Sequence, residues 1–500
     1  MLEAMSDIGF SHEYDVYITE ENGIQIVANE LSLLITREMK YRSIKVSDIA
    51  DTLGISKSTV KDRISKLKAL GIVSEDRDPK DKRINIYNLN AALLFSSEED
   101  IDWQLSARNA STSRILENGQ CTFREDLSLY AASLTEMGVN IFPGLFGVGE
   151  GLIGDGKSIT KLENVIKDAI GQCNKSKISI DIGVNEGLRL EFISDQDISD
   201  LPLVISPMLG ILISTSQRIL GYQLAYDISL SVRESGHRVK IIIPRFEGSF
   251  NKELQPGYFS RIKNFRPSDD FSIYATDTKS ILFTNKAMMA ILDMLVEGPA
   301  SMKEMEEKLG IPAATIYSSV MKLYELKTVS IDLDSQNVRR YKLDANPVLS
   351  CSDSGQTLSH MLPGIIDDFV SKRRDYYSSV ILFARELYSS LGIRFDRMYY
   401  LSGANTAKSV LEFRPDLCFE EFVDMACSMV SFPDRVEVLG LRNVCLRVIL
   451  SKDTLWDTWP SEFVRGFLSE GVKRYEGVGN RVFVQTVREG DDDQGAPGTC

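Results

Sequence analysis

The chain has 500 residues, of which 43% are hydrophobic and 26% charged, and its formal net charge is −14. That length exceeds what a single core organises, so about three or four domains are expected. No window approaches ~18 consecutive apolar residues, which leaves no candidate for a transmembrane helix, and an acidic whole does not exclude a nucleic-acid partner, because binding depends on where the basic charge sits. The acidic start, "MLEAMSDIGFSHEYD", has neither the basic nor the apolar region of a signal peptide.

The first informative elements lie between Val46 and Leu89. Ile49 and Leu53 give the short segment "SDIADTLG" an apolar helical face, and Gly54 ends it by accepting the left-handed conformation of a tight turn. Ser56 is placed to cap a second helix. In that helix Val60, Ile64 and Leu67 fall at i, i+4 and i+7, while Lys57, Ser58, Lys61, Asp62, Ser65 and Lys68 fall on the outer face. "LGIV" then enters a strand, "DRDPKDKR" makes a charged tip with a turn at Asp78-Pro79, and "INIYNL" alternates as a strand. The predicted order is helix, turn, helix, strand, wing, strand, a winged helix-turn-helix within residues 20–95.

The stretch from Val46 to Leu89 resembles the recognition region of bacterial and archaeal winged-helix regulators, whose pattern "IS-x-STV-x-x-R-I-x-x-L-x-x-x-G-(I/L)-V" stands here almost unbroken. The resemblance implies that the helix beginning at the capping Ser56 enters the major groove of double-stranded DNA. Lys57, Ser58 and Lys61 would then meet base edges, Arg63 and Lys68 phosphates, and Lys80, Lys82 and Arg83 of the wing the neighbouring backbone or minor groove.

Next in the chain, within residues 110–250, come a helix around Leu127–Met137, a segment carrying Gly144, Gly147, Gly149 and Gly151, and the helical stretch "TKLENVIKDAIGQC". The strands "KISIDIG" and "LRLEFIS", the apolar run Leu201–Gly221, and the paired strands "QLAYDISLSV" and "HRVKIIIP" follow. This order resembles the 4-vinyl-reductase-type sensor domain, an α/β fold of prokaryotic regulators. It implies a small-molecule or redox sensor, with a small apolar ligand as the candidate beside the Leu201–Gly221 run. Many members of that family carry cysteines in the closing hairpin, where this chain has Ser231, Val239 and, later, Val482. The cysteines at 121, 173, 351, 418, 427, 445 and 500 are scattered, odd in number and never spaced C-x-x-C. They read as reduced thiols of a cytoplasmic protein, each a small buried apolar residue. His12, His237 and His360 lack metal-ligand spacing, so neither a metal nor a cofactor is expected.

The whole order then repeats. Leu309 follows Leu53 by 256 positions (309 − 53), Gly392 follows Gly138 by 254 (392 − 138), and Val444 follows Leu188 by 256 (444 − 188). A second winged helix is placed at residues 280–347, a second sensor-like domain at 360–488 with a shortened closing hairpin, and a disordered tail at 489–500. The fold class expected is α/β (α+β), two winged helix-turn-helix domains alternating with two α/β sensor-like domains. The second recognition helix, "AATIYSSVMKLYEL", carries only Lys322 with Tyr317 and Tyr324, so it should bind DNA weakly or not at all.

Catalytic patterns are lacking: there is no G-x-S-x-G and no phosphate-binding loop, and "GVGEG" at Gly147 has no Lys-Ser/Thr ending. The chain reads as a cytoplasmic transcriptional regulator, not an enzyme. DNA is its partner, no membrane is involved, and a homodimer forms because one competent reader per chain needs two chains on a two-fold operator. The alternative is a winged-helix scaffold without sequence-specific DNA binding.

Overall fold

The computed structural model describes residues 10–97, 104–149, 177–193, 229–243, 270–351, 362–429, 435–450 and 459–488, with short breaks inside these spans, plus Ser199, Pro207, Leu209 and Gly210. The glycine-rich segment beyond Gly149, the "TKLENVIKDAIGQC" stretch, most of the Leu201–Gly221 run and the tail at 489–500 lie outside the described residues.

The first strand, β1 (Phe10–Ser11), is followed by the hairpin β2 (Asp15–Thr19) and β3 (Gly23–Val27). Helices α1 (Glu30–Glu38), α2 (Val46–Leu53) and α3 (Lys57–Ala69) come next, then the wing strands β4 (Val73–Arg77) and β5 (Asn85–Leu89), and β6 (Ala92–Ser97). β2 and β6 pair antiparallel, and with β7 (Val139–Asn140) the sheet order is β3-β2-β6-β7. The sheet thus begins five residues before the expected boundary at residue 20. Its inner face and the three helices enclose one core in which Tyr17, Leu33, Ile49, Val60, Ile64, Leu67, Ile72 and Tyr87 are buried together. Burying a large apolar side chain is worth about 1.5–3 kcal/mol, so the triplet Val60, Ile64 and Leu67 fixes which face of α3 turns inward.

Helices α4 (Gln104–Asn118) and α5 (Phe123–Glu136) pack on each other. Strands β8 (Lys177–Gly183), β9 (Gly187–Ile193), β10 (Ser229–Arg233) and β11 (Arg238–Ile243) make an antiparallel sheet in the order β10-β11-β9-β8. Val239 opposes both Val232 and Phe192 in it.

The second half follows the same order: β12 (Phe271–Ala275), β13 (Ser280–Phe283), α6 (Lys286–Glu297), α7 (Met302–Leu309), α8 (Ala313–Glu325), the wing β14 (Val329–Leu333) and β15 (Arg339–Leu343), and β16 (Asn346–Cys351). α7, α8 and β14 each begin 256 residues after α2, α3 and β4 (302 − 46, 313 − 57, 329 − 73). After α9 (Leu362–Val370) and α10 (Tyr376–Ser390), β17 (Ile393–Arg394) closes the order β13-β12-β16-β17, the counterpart of β3-β2-β6-β7. Helices α11 (Asp396–Phe413) and α12 (Phe419–Ser428) precede β18 (Arg435–Gly440) and β19 (Val444–Leu450), and α13 (Trp459–Val472) precedes β20 (Val482–Arg488). Among the described residues the closing sheet has three strands, and β20 runs parallel to β19, whereas β11 runs antiparallel to β9. Among those residues the closing segment supplies one strand after α13.

The halves pack within the chain. β1 extends the second sheet at β13, with Phe10 opposite Phe283. Tyr14 Oη and Ser280 Oγ are 2.9 Å apart, and Ser280 donates to the Gly138 carbonyl at 2.7 Å. Ile115 of α4 and Leu129 of α5 sit in one core with Phe422, Phe463 and Phe467. Cys351 and Cys445 are buried, as expected of small apolar side chains, but Cys418 is exposed. It stands at the start of α12, where its N–H donates to the Glu421 carboxylate at 3.0 Å and its side chain faces solvent.

Candidate nucleic-acid interface

The turn between α2 and α3 is built as the residue types demand. Gly54 has φ +64, and a Cβ there would meet nothing within 4 Å, so the requirement for glycine is the left-handed backbone itself. The Ile55 N–H then returns to the Ala50 carbonyl at 3.1 Å. Ser56 is extended, and its hydroxyl accepts from the Thr59 N–H at 3.1 Å. The Ser58 and Thr59 hydroxyls lie 2.7 and 2.8 Å from Ser56 Oγ. The first turn of α3 holds no acid, so the positive end of its dipole and Lys57 face solvent together.

Ser56, Lys57, Ser58, Lys61 and Lys68 are exposed, and Arg63 is half-buried on the flank of the helix. Among the described residues no ion pair engages Lys57, Lys61, Lys80 or Lys82, all of them exposed. Two of the remaining candidates are partnered. Lys68 donates to the Glu75 carboxylate. Arg83 forks onto Asp81, Nε and Nη2 each donating to a carboxylate oxygen at 3.0 Å. From Glu75 to Arg83 the wing carries four acids, Glu75, Asp76, Asp78 and Asp81, against four bases, Arg77, Lys80, Lys82 and Arg83. The wing therefore offers Lys80 and Lys82 as free cations, not a uniformly basic tip.

Its base is anchored. Lys45, just before α2, meets Asp78 at 2.6 Å, and Asp78 also accepts the Lys80 N–H at 2.8 Å. Ile44 exchanges backbone bonds with Tyr87 at 3.0 and 2.9 Å, adding a third chain to the wing. The Lys45 bond, followed by the Lys80 N–H, holds the Asp78 carboxyl below its ordinary range, and the same Asp78 bond raises Lys45. Arg83 lowers Asp81, and Lys68 lowers Glu75. Lys45 and the acid partners were not singled out in the sequence; the charge alternation "EDRDPKDKR" is the signal that carried the acids, and no local pattern marked Lys45.

The second module repeats the turn, with Gly310 at φ +64 and a capping box between Ser301 and Glu304. The helix after that turn, α8, has Pro312 at its N-cap and no side-chain cap. Among the described residues no group of His, Cys, Asp and Glu could hold a metal ion, and no helix is long and apolar enough to cross a membrane.

Residues 31–75, which run from α1 to the first wing strand, match the family model for bacterial regulatory protein, arsR family, a helix-turn-helix family. The N-terminal module is thus a helix-turn-helix domain similar to that family. No curated protein matches the chain.

Proposed function

We propose that the chain is a DNA-binding transcriptional regulator in which α3, capped by Ser56, reads duplex DNA through Lys57, Ser58 and Lys61, with Arg63 and Lys68 on phosphates and Lys80, Lys82 and Arg83 of the wing on the neighbouring backbone or minor groove. The observation that carries this reading is the capped, acid-free start of α3, with Lys57 and Lys61 in no ion pair among the described residues, next to a wing pinned through Lys45 and Asp78 that leaves Lys80 and Lys82 to solvent. The match over residues 31–75 agrees with it. The reading contains no catalytic step and places the protein in the cytoplasm.

The common element order and 256-residue spacing support a tandem duplication in which winged helices alternate with sensor-like domains. The β8–β11 and β18–β20 sheets belong to those sensors. A small apolar ligand acts through them by binding one domain arrangement better than another, and it would raise the melting temperature by mass action. On a two-fold operator two chains are needed, each lending its first module.

The test is a salt-dependent mobility shift with the full chain and a Lys57→Ala/Lys61→Ala variant. For each good base interaction removed, specific binding should weaken by about 1–3 kcal/mol. The scaffold reading has its own support in the wing's balance of four acids and four bases. It takes over if the wild-type chain shows no DNA affinity at low salt.

A further inference from the structure

The two recognition helices share one framework but differ on the face that leaves it. In α3 the positions Ser58, Lys61, Ser65 and Lys68 form an exposed polar stripe. The positions 256 residues later in α8 are Ala314, Tyr317, Met321 and Tyr324. Their spacing of three, four and three is that of a helix-pairing seam. Tyr317 is 56% exposed, Tyr324 46%, Ala314 is exposed and Met321 partly so. The opposite face of the same helix, Ile316, Val320 and Leu323, already fills the module's core, so core packing does not account for the outer stripe. The second wing adds Leu333 at 64% and Val338 at 43% exposure. Clustered exposed apolar residues rich in tyrosine mark protein contacts more than duplex contacts.

We infer that this stripe is a docking surface for a second copy of this chain, with α8 of one chain packed against α8 of the other across a two-fold axis. The inference rests on the operator reading above and names the surface by which two chains meet. Three observations choose this occupant. The halves are already packed against each other inside one chain through α4, α5 and α11, so a dimer has to use another face. A stripe of one repeating spacing is complementary to itself, as an isologous contact requires. The charges beside it, Lys322 and Glu325, are opposite in sign, exposed and without an ion pair among the described residues. Two identical copies therefore bring both signs to the same contact instead of stacking like charge on like.

Sedimentation of the full-length protein without DNA tests the inference. A dimer is expected at micromolar concentration, and Tyr317→Glu/Tyr324→Glu should convert it to a monomer while Tyr317→Phe leaves it dimeric. Unchanged circular dichroism and melting temperature of the double variant separate a docking defect from a folding defect. A monomeric wild type, or a double variant that stays dimeric, overturns the inference. So does a double variant that keeps its oligomeric state and loses DNA affinity, since the stripe would then be a DNA-reading face. Lys57→Ala/Lys61→Ala should weaken DNA binding without changing the sedimentation, so failure of the DNA reading and failure of the docking surface give different results.

Discussion

Arg83 has 90% of its side-chain surface exposed, yet its guanidinium is held by both oxygens of Asp81. A phosphate has to compete with that carboxylate before it gains the cation. Lys68 is in the same position beside Glu75. Replacing Asp81 with Asn should therefore free a charge without adding one. The expected result is tighter DNA binding and a salt dependence steeper by about 0.9 per cation released to the phosphates, read from the slope of log affinity against log salt. An unchanged slope would mean that Arg83 does not reach DNA. The same pairs set a pH dependence. The carboxyls of Asp78 and Asp81 are lowered in the folded module, chiefly by Lys45 and Arg83. The folded state thus binds fewer protons than the unfolded one in the acid range. Their contribution to stability is complete above about pH 5 and is lost as pH falls through and below about 4. Lys45 is raised, so its contribution is complete below its ordinary value and fades only in strong alkali. Asp78→Asn should flatten the acid limb of the stability curve. A limb of undiminished steepness would assign acid sensitivity to other carboxylates.

At the scale of the element, α3 carries the sharpest expectation because its ends are fixed by single residues. Ser56→Ala removes the acceptor for the Thr59 N–H and should cost about 1 kcal/mol of stability. Gly54→Ala meets no steric obstacle but must hold φ +64, and should cost about 1 kcal/mol for that reason alone. Chemical denaturation of the two variants checks both, and a Gly54→Ala protein as stable as wild type would show that the turn relaxes. These elements were legible in the sequence because their determinants are local: a cap and an apolar triplet lie within a dozen residues of one another. The inward positions Val60, Ile64 and Leu67, the turn at Gly54 and the cap at Ser56 are all found where the spacing put them. What was not legible depended on contacts between distant residues. β2 and β12 were missed as opening strands: each forms a hairpin with its neighbour, β3 or β13, but joins the sheet of its helical module only by pairing with β6 or β16, more than seventy positions on. The partnering of Lys68 and Arg83 follows from wing geometry, which a count of basic residues does not contain. The parallel course of β20 likewise needs the crossover through α13 to be seen.

Across the whole molecule, the junction between halves is polar as well as apolar, and one buried charge organises it. Arg108 of α4 is almost fully buried and binds both oxygens of Glu136 on α5, with Nε to Oε1 at 2.7 Å. Its Nη2 donates to Ser133 at 3.0 Å, and its Nη1 reaches the Ser402 carbonyl at 3.5 Å and the Thr406 hydroxyl at 3.4 Å on α11 of the other half. Ser133 donates to the Leu129 carbonyl and lies 2.7 Å from Ser402 Oγ, so serine hydroxyls carry the network across. Elsewhere between the halves, the rings of Phe95 on β6 and Tyr388 on α10 stack with centroids 6.0 Å apart. Because Ile115 and Leu129 are buried among residues of the second half, the halves should melt in one calorimetric transition. Arg108→Ala leaves the Glu136 carboxylate without its partner. Removing one member of a buried ion pair costs about 3–5 kcal/mol, with the lower end expected here because the Glu136 side chain remains 21% exposed. Arg108→Met combined with Glu136→Leu should recover most of that stability, since no charge is then stranded. Two separate transitions in the wild type, or an Arg108→Ala protein with an unaltered melting temperature, would show that the halves fold independently and that the junction contributes little to the native state.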